Sequence, residues 1–295
     1  MTDEAAPGPV LVVGDLLLDV VVVPEQPLRR DALSLDHARA RITFDVGGAG
    51  ANLALAAADL GVPRVDLVTG VSLGHELGAV AAGLLDRVRD RGVRVIANEV
   101  PAATGGATVI VYLDGHRRMM LADPGACEEP LTPRTHALAV RAVASASLVV
   151  VSGHSLFRER SRADALALIR AARDAGVPVA LDLVPHSAYR TTSLVQLRSY
   201  LDGVTFLSAA ADTLLAFHDR PRWPDVGEDA LLATVRTFLN PVDGLLVFLP
   251  DLGHRVVDRD GVTVTPAPDL PPGTRLPGYT DRVLMGVLLD RYRAR

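Results

Sequence analysis

Apolar residues in this chain gather in short continuous runs. Val10–Val13, Leu148–Ser152, Pro178–Asp182 and Gly244–Leu249 are rich in Val and Leu, and Arg64–Thr69, Arg94–Asn98 and Gly203–Leu207 share that character. Runs of this length, lacking strict alternation, read as strands buried on both faces. Between them lie Asn52–Leu60, Leu77–Gly92, Arg162–Ala175 and Gly227–Leu239, which read as helices. Gly61, Gly92 and Gly176 follow helices as stops, and Ser161 precedes one as a cap. The alternation predicts an α/β fold with a mostly parallel sheet covered by helices on both sides.

Two segments break the pattern. Ala38–Asp45 alternates polar and apolar residues, and so does Thr108–Met120 around the turn signal Asp114-Gly115. Alternation means one wet face, which does not suit a doubly covered sheet. With the stretch after Asp19, these segments predict a small antiparallel sheet within about residues 16–45 and 104–121, projecting as a lid or forming an edge hairpin. The whole of residues 1–295 is expected to be one domain.

Composition narrows the chemistry. With 295 residues, 49% of them hydrophobic, the chain can bury a large core. No apolar run approaches the ~18 residues of a membrane span, and residues 10–23 are broken by Asp15 and Asp19. A lone Cys127 allows no internal disulfide, so a cytoplasmic setting is expected. All 30 basic residues are Arg. Without lysine there is no Walker-type phosphate loop, no Schiff-base chemistry and no lysine base. A net charge of −5 with scattered Arg argues against a nucleic-acid surface.

Candidate chemistry sits at three places. Gly47-Gly48-Ala49-Gly50-Ala51-Asn52 runs straight into a helix, where glycines admit close approach of a ligand and Asn52 offers both donor and acceptor. Gly14-Asp15 and Asp19 follow the first strand, at the sheet end where α/β proteins bind ligands. An aspartate there is either a hydroxyl-binding group or a turn residue. Near the C-terminus, Gly278-Tyr279-Thr280-Asp281 opens a short helix. Its N–H groups can hold an anion, and Asp281 can act as a general base or as a cap. His154 and His186 also follow strands but have no metal-ligand spacing, and Cys127 has no basic partner in the sequence, so it reads as structural.

In order along the chain, these motifs resemble those of the ribokinase-like, or phosphofructokinase-B, carbohydrate kinases. Gly14-Asp15-(x)3-Asp19 resembles the family's opening sugar-binding segment, and Gly47–Asn52 its GGxGxN signature. Gly74–Gly78 resembles GDDxxG. Thr104-Gly105 with Asp114–Arg117 resembles the TGxA…DGxR lid region, and Gly278–Gly286 resembles GAGDAFxAG. Ser152–Leu156 and Ala180–Asp182 fall where the family has similar strand ends.

The resemblance implies a Rossmann-like three-layer α/β/α domain with a small β lid. It implies transfer of the γ-phosphate of ATP, with Mg²⁺, to a hydroxyl of a sugar or nucleoside. Asp281 would be the general base, with Gly278, Tyr279 and Thr280 forming the anion hole. Asp19, Gly47, Gly48, Asn52 and Asp15 would hold the acceptor. Asp212, Gly253 and Arg275 would lie at the nucleotide, and no protein metal ligand is expected. The nucleotide side departs from the family pattern, with Thr280 in place of a glycine and Ala209–Asp212 in place of NxxE. The alternative is therefore a catalytically impaired sugar- or nucleoside-binding protein on the same scaffold. Neither nucleic acid nor membrane is expected as a partner; a homodimer through the lid is.

Overall fold

The computed structural model describes residues 8–26, 39–74, 76–114, 117–269 and 278–292. The first half runs β1 (Val10–Val13), β2 (Leu17–Pro24), β3 (Ala40–Gly47), α1 (Ala49–Asp59), β4 (Val65–Val71), α2 (Gly78–Asp90), β5 (Val93–Glu99), β6 (Ala107–Asp114) and β7 (Arg117–Asp123). The second half begins with α3 (Pro133–Ser145), β8 (Leu148–Ser152), α4 (Gly153–Phe157), α5 (Arg162–Asp174) and β9 (Val179–Asp182). It continues through α6 (Leu194–Tyr200), β10 (Phe206–Ala210), α7 (Ala211–Ala216), α8 (Glu228–Arg236), β11 (Gly244–Phe248), β12 (His254–Asp258), β13 (Val262–Thr265) and α9 (Tyr279–Tyr292).

Nine strands form one sheet in the order β13-β12-β11-β10-β9-β8-β1-β4-β5. Its pairings are parallel from β11 to β5, and the hairpin β12–β13 is added antiparallel at one edge. The strand residues divide by face. Val10 and Val12 pack with α1, α2 and α9, while Leu11 and Val13 pack with the side that carries α3, α5 and α6. Burial on both faces explains the continuous apolar runs. The chain leaves β1 for β4 and β5 on one side and returns to β8, β9 and β10 on the other. The carboxyl ends of β1 and β8 therefore flank the point where strand order reverses.

The second sheet has the order β3-β2-β6-β7. It is mixed: β2–β3 and β6–β7 pair antiparallel, but β2 and β6 pair parallel. The expected small antiparallel lid is present, with its two outer pairings antiparallel; the central β2–β6 pair is parallel because β2 follows β1 and β6 follows β5, two parallel strands of the main sheet. Residues 27–38, 115 and 116, which the lid expectation included, lie outside the described residues.

Other differences are local. The helix expected from Asn52 begins at Ala49, drawing the glycine turn into its first turn. The strand expected at Gly203–Leu207 lies at Phe206–Ala210, because Gly203 takes a φ of +90° in the turn before it. Gly61, Gly92 and Gly176 do stop helices, at φ +83°, +84° and +70°. Ser161 makes no cap bond; its Oγ donates instead to the Ser155 carbonyl at 3.0 Å.

The glycine turn is fixed by contact with β1. A Cβ on Gly50 would stand 2.4 Å from the carbonyl carbon of Gly14, and Ala51 N–H donates to the Asp15 carbonyl at 2.9 Å. Gly50→Ala is therefore expected to lower Tm by roughly 2–10 °C, as backbone overpacking of ~1–3 kcal/mol dictates. Gly83→Ala, in α2 with nothing within 4 Å, should hold or raise it. Thermal unfolding of the two variants side by side checks the contrast, and equal melting points would contradict it.

Candidate active site

Asp19 is the third residue of β2, near the base of the lid, paired across β2–β3 with Asp45. Its carboxylate lies directly over Gly47: a Cβ there would come within 2.0 Å of Asp19 Oδ1. A side chain at Gly47 would thus displace the carboxylate. Gly48 carries φ +89°, and a Cβ on it would meet the Asp15 carbonyl oxygen at 2.6 Å. Glycine is required there on both counts. Asn52, four residues on, lines a groove of about 430 Å³ with Asp45, Val46, Gly278 and Arg282. The groove therefore brings α1, β3 and the start of α9 together.

Asp15 is placed differently. Its carboxylate is buried and takes a bidentate pair from Arg158, Nη1 to Oδ1 at 2.7 Å and Nη2 to Oδ2 at 2.8 Å. Both oxygens are engaged by Arg158, while the Asp15 carbonyl and Cβ form the floor under Gly48.

The helix α9 starts with Gly278 at φ +69°, and its first recorded bond runs from Arg282 N–H to the Gly278 carbonyl at 3.0 Å. The amides of Tyr279, Thr280 and Asp281 precede that ladder and form a positive helix terminus. Thr280 takes ordinary helical dihedrals, so the left-handed residue of this turn is Gly278 and the missing second glycine costs no strain. A Cβ on Gly278 would find Asp281 Oδ2 at 3.9 Å and no other heavy atom within 4 Å among the described residues.

Asp281 itself is half-buried. Burial, and after it the Asp182 carboxylate, pushes it up to about 7, against its own N–H and the Arg118 charge. Burial and then Asp45 push Asp19 up to about 6, with Arg118 again opposing. Asp182, at the end of β9, is pushed up to about 6 by burial although Ser208 Oγ donates to its Oδ1 at 2.8 Å. Arg118 of β7 therefore faces both Asp19 and Asp281, and its charge is also felt at His186. These groups come from the lid, α9 and the ends of main-sheet strands.

The nucleotide-side expectations meet mixed geometry. Asp212, in the first turn of α7, accepts the Trp223 N–H at 2.9 Å and so holds the following loop. Gly253 lies in the β11–β12 turn, where its N–H donates to Asp251 Oδ1 at 2.9 Å. Next to it, His254 Nδ1 is the one buried side-chain polar atom without a partner among the described residues. Arg275 lies outside the described residues. Among those described, no cluster of three or more His, Cys, Asp or Glu is placed to hold a metal. Cys127 is buried, donating to the Gly70 carbonyl at 3.3 Å, and burial first pushes its thiol up to about 12.

Sequence reasoning missed two site residues. Arg158 is 143 positions from Asp15 in sequence, with no local motif to join them. Arg118 is the neighbour of Arg117, the residue that matched the lid motif; Arg118 pairs with Tyr112 next to the register shift between Tyr112 and Asp114, and strand alternation puts it on the face of the lid that carries Asp19.

The comparisons bear on the family and the fold. Residues 9–271 match the family described as pfkB family carbohydrate kinase. The match ends before Gly278–Asp281, so the place of Asp281 rests on the structure. No curated protein matches the chain in sequence. Among solved structures, the adenosine kinase of Sinorhizobium meliloti superposes with a TM-score of 0.79 at 18% identity, covering 98% of this chain and 89% of that one. The Arabidopsis thaliana ribokinase complexed with ribose and ATP gives 0.71 at 18%, covering 98% and 87%. The Burkholderia thailandensis nucleoside kinase in complex with inosine gives 0.67 at 19%, covering 95% and 83%. At these identities the likeness shows the fold.

The raised Asp281 carries a consequence for stability. Its folded pKa lies above its ordinary 3.8, so its contribution favours the fold fully below about pH 4 and is lost as pH rises through 7. Asp281→Asn should melt a few degrees higher than the parent at pH 8, with the two curves converging near pH 4. Melting points that stay apart across this range would show that Asp281 is solvated.

Proposed function

Because the chain belongs to the pfkB family of carbohydrate kinases, we propose that it moves the γ-phosphate of ATP to a hydroxyl of a sugar or nucleoside. The observation that supports this most is the placement of Asp281: a half-buried carboxylate in the first turn of α9, beside the Asp182 carboxylate and within the field of the lid's Arg118. Asp281 takes the proton of the attacking hydroxyl as its oxygen bonds to phosphorus and ADP leaves. Asp19 and Asn52 accept and donate hydrogen bonds to the remaining hydroxyls, with Gly47 and Gly48 leaving room for them. The amides of Tyr279 and Thr280, freed by the Gly278 turn, hold the phosphoryl oxygens. Mg²⁺ on the donor phosphates would supply charge neutralisation there, in a design that needs no lysine. We assign Gly253 and Arg275 to the nucleotide end, and Asp212 to holding the loop beside it. Asp15 belongs to the scaffold of the acceptor pocket.

The lid's outer surface bears on assembly. Val20, Val22, Ile42, Phe44, Met119 and Leu121 alternate onto the face opposite Asp19, with Ile42 and Phe44 exposed by 55% and 63%. An apolar sheet face of this kind suits self-pairing, and we propose a homodimer through it, in the cytoplasm. Sedimentation velocity should show a dimer that Phe44→Ser shifts towards monomer; a monomeric parent would overturn the assembly.

For the chemistry, ADP release with Mg-ATP is measured across neutral sugars, sugar phosphates, sugar acids and nucleosides. Turnover should rise as pH passes through about 7, where Asp281 ionises. Asp281→Asn should remove some 10²–10⁴-fold of it. Acceptor binding without turnover under any condition would favour the binding-protein reading.

A further inference from the structure

We propose that Arg118 selects the acceptor, and that the acceptor it selects carries an anionic group, a phosphate or a carboxylate, in addition to the hydroxyl that reacts. The inference rests on the kinase reading above and narrows its substrate class.

The register of the lid carries the argument. Asp19 pairs with Thr108 across β2–β6, and Thr108 with Ala122, Ile110 with Met120 and Tyr112 with Arg118 across β6–β7. Side chains alternate along strands, so Asp19, Thr108, Ile110, Tyr112, Met120 and Arg118 share the face turned to the cleft. Arg118 lies four residues, or ~13 Å of strand, beyond the level of Asp19 towards the lid tip. Its charge nonetheless acts on Asp19 of β2, on Asp281 of α9 and on His186 after β9. The guanidinium is therefore directed over the cleft, between the lid and the main sheet. No hydrogen bond or ion pair joins Arg118 to another described residue, whereas Arg158 below is fully engaged by Asp15.

An exposed, unpaired Arg is ordinary on an open surface. Here it hangs over a cleft that phosphoryl transfer requires to be dry. Once water is expelled, a guanidinium without a partner is costly. Asp19 and Asp281 could neutralise it only by giving up the hydroxyls they are placed to receive. A neutral sugar or nucleoside supplies no charge to replace them. A phosphate or carboxylate on the acceptor does, and both match the planar fork of the guanidinium.

The test reads binding to the full chain by calorimetry, without ATP. The probes are a sugar phosphate, a sugar acid, the matching neutral sugar, a nucleoside and inorganic phosphate, each against the parent, Arg118→Met and Arg118→Lys. The anionic sugars should bind more tightly than their neutral counterparts. Arg118→Met should weaken them about 10- to 100-fold, leave neutral probes unchanged, and be partly rescued by Arg118→Lys. The sugar phosphate and sugar acid arms identify which anion is preferred. A neutral sugar or nucleoside that binds as well as the anionic ones and ignores Arg118→Met overturns the proposal, as does failure of every anionic sugar to bind. Arg118-dependent binding of an anionic sugar without ADP release would sink the kinase reading while leaving this one intact.

Discussion

The floor beneath the glycine turn depends on one buried ion pair. Asp15 and Arg158 meet where strand order reverses, between the ends of β1 and β8, with side chains only 2% and 16% exposed. Two charges so withdrawn from water require good geometry to be tolerated, and the bidentate fit supplies it. What the pair secures is a backbone position. The Asp15 carbonyl receives the Ala51 N–H and occupies the space that a side chain on Gly48 would need. The start of α1, and Asn52 one turn into it, are thereby held at a fixed height above β1.

Electrostatics at the opposite wall follow a different logic. Asp19, Asp182 and Asp281 are all pushed up, chiefly by burial, and the first and last feel a single cation, Arg118. An arrangement with more buried carboxylate than cation is poor for stability and useful for chemistry, because a carboxyl poised near neutrality can take a proton and return it. Stability is supplied elsewhere, by the two apolar layers on either face of the main sheet.

Much of this could be read from the chain, and the parts that could not share a cause. Buried runs such as Leu148–Ser152 announced their strands because both faces are covered. The glycines at 47, 48 and 50 announced a close approach, although what approaches Gly50 is the chain's own Gly14. Asp19 and Asp281 were singled out by the ordered motifs, and the structure puts both within the field of Arg118. Asp15 was legible as a position, but its ion pair was not, since Arg158 lies 143 positions away with no motif joining the two. Arg118 was hidden because a motif names residues, whereas the face a residue takes is decided by register. The short helices α6 and α7 and the hairpin β12–β13 were too brief for their periodicity to be seen. Yet Ser193 and Gln196 form a capping box that marks α6.

The way the lid is joined to the main sheet has a mechanical consequence. Four connections bridge the two sheets, through residues 14–16, residue 48, residues 100–106 and residue 124. The first two contain Asp15 and Gly48, which also meet at the floor of the glycine turn. The lid is therefore not a flap on an independent linker but a lever whose fulcrum is the candidate site. Any swing of β2 and β3 must be taken up as torsion at Gly14–Leu16 and Gly48, so lid angle and pocket shape form a single coordinate. A ligand that grips Asp19 loads that fulcrum directly.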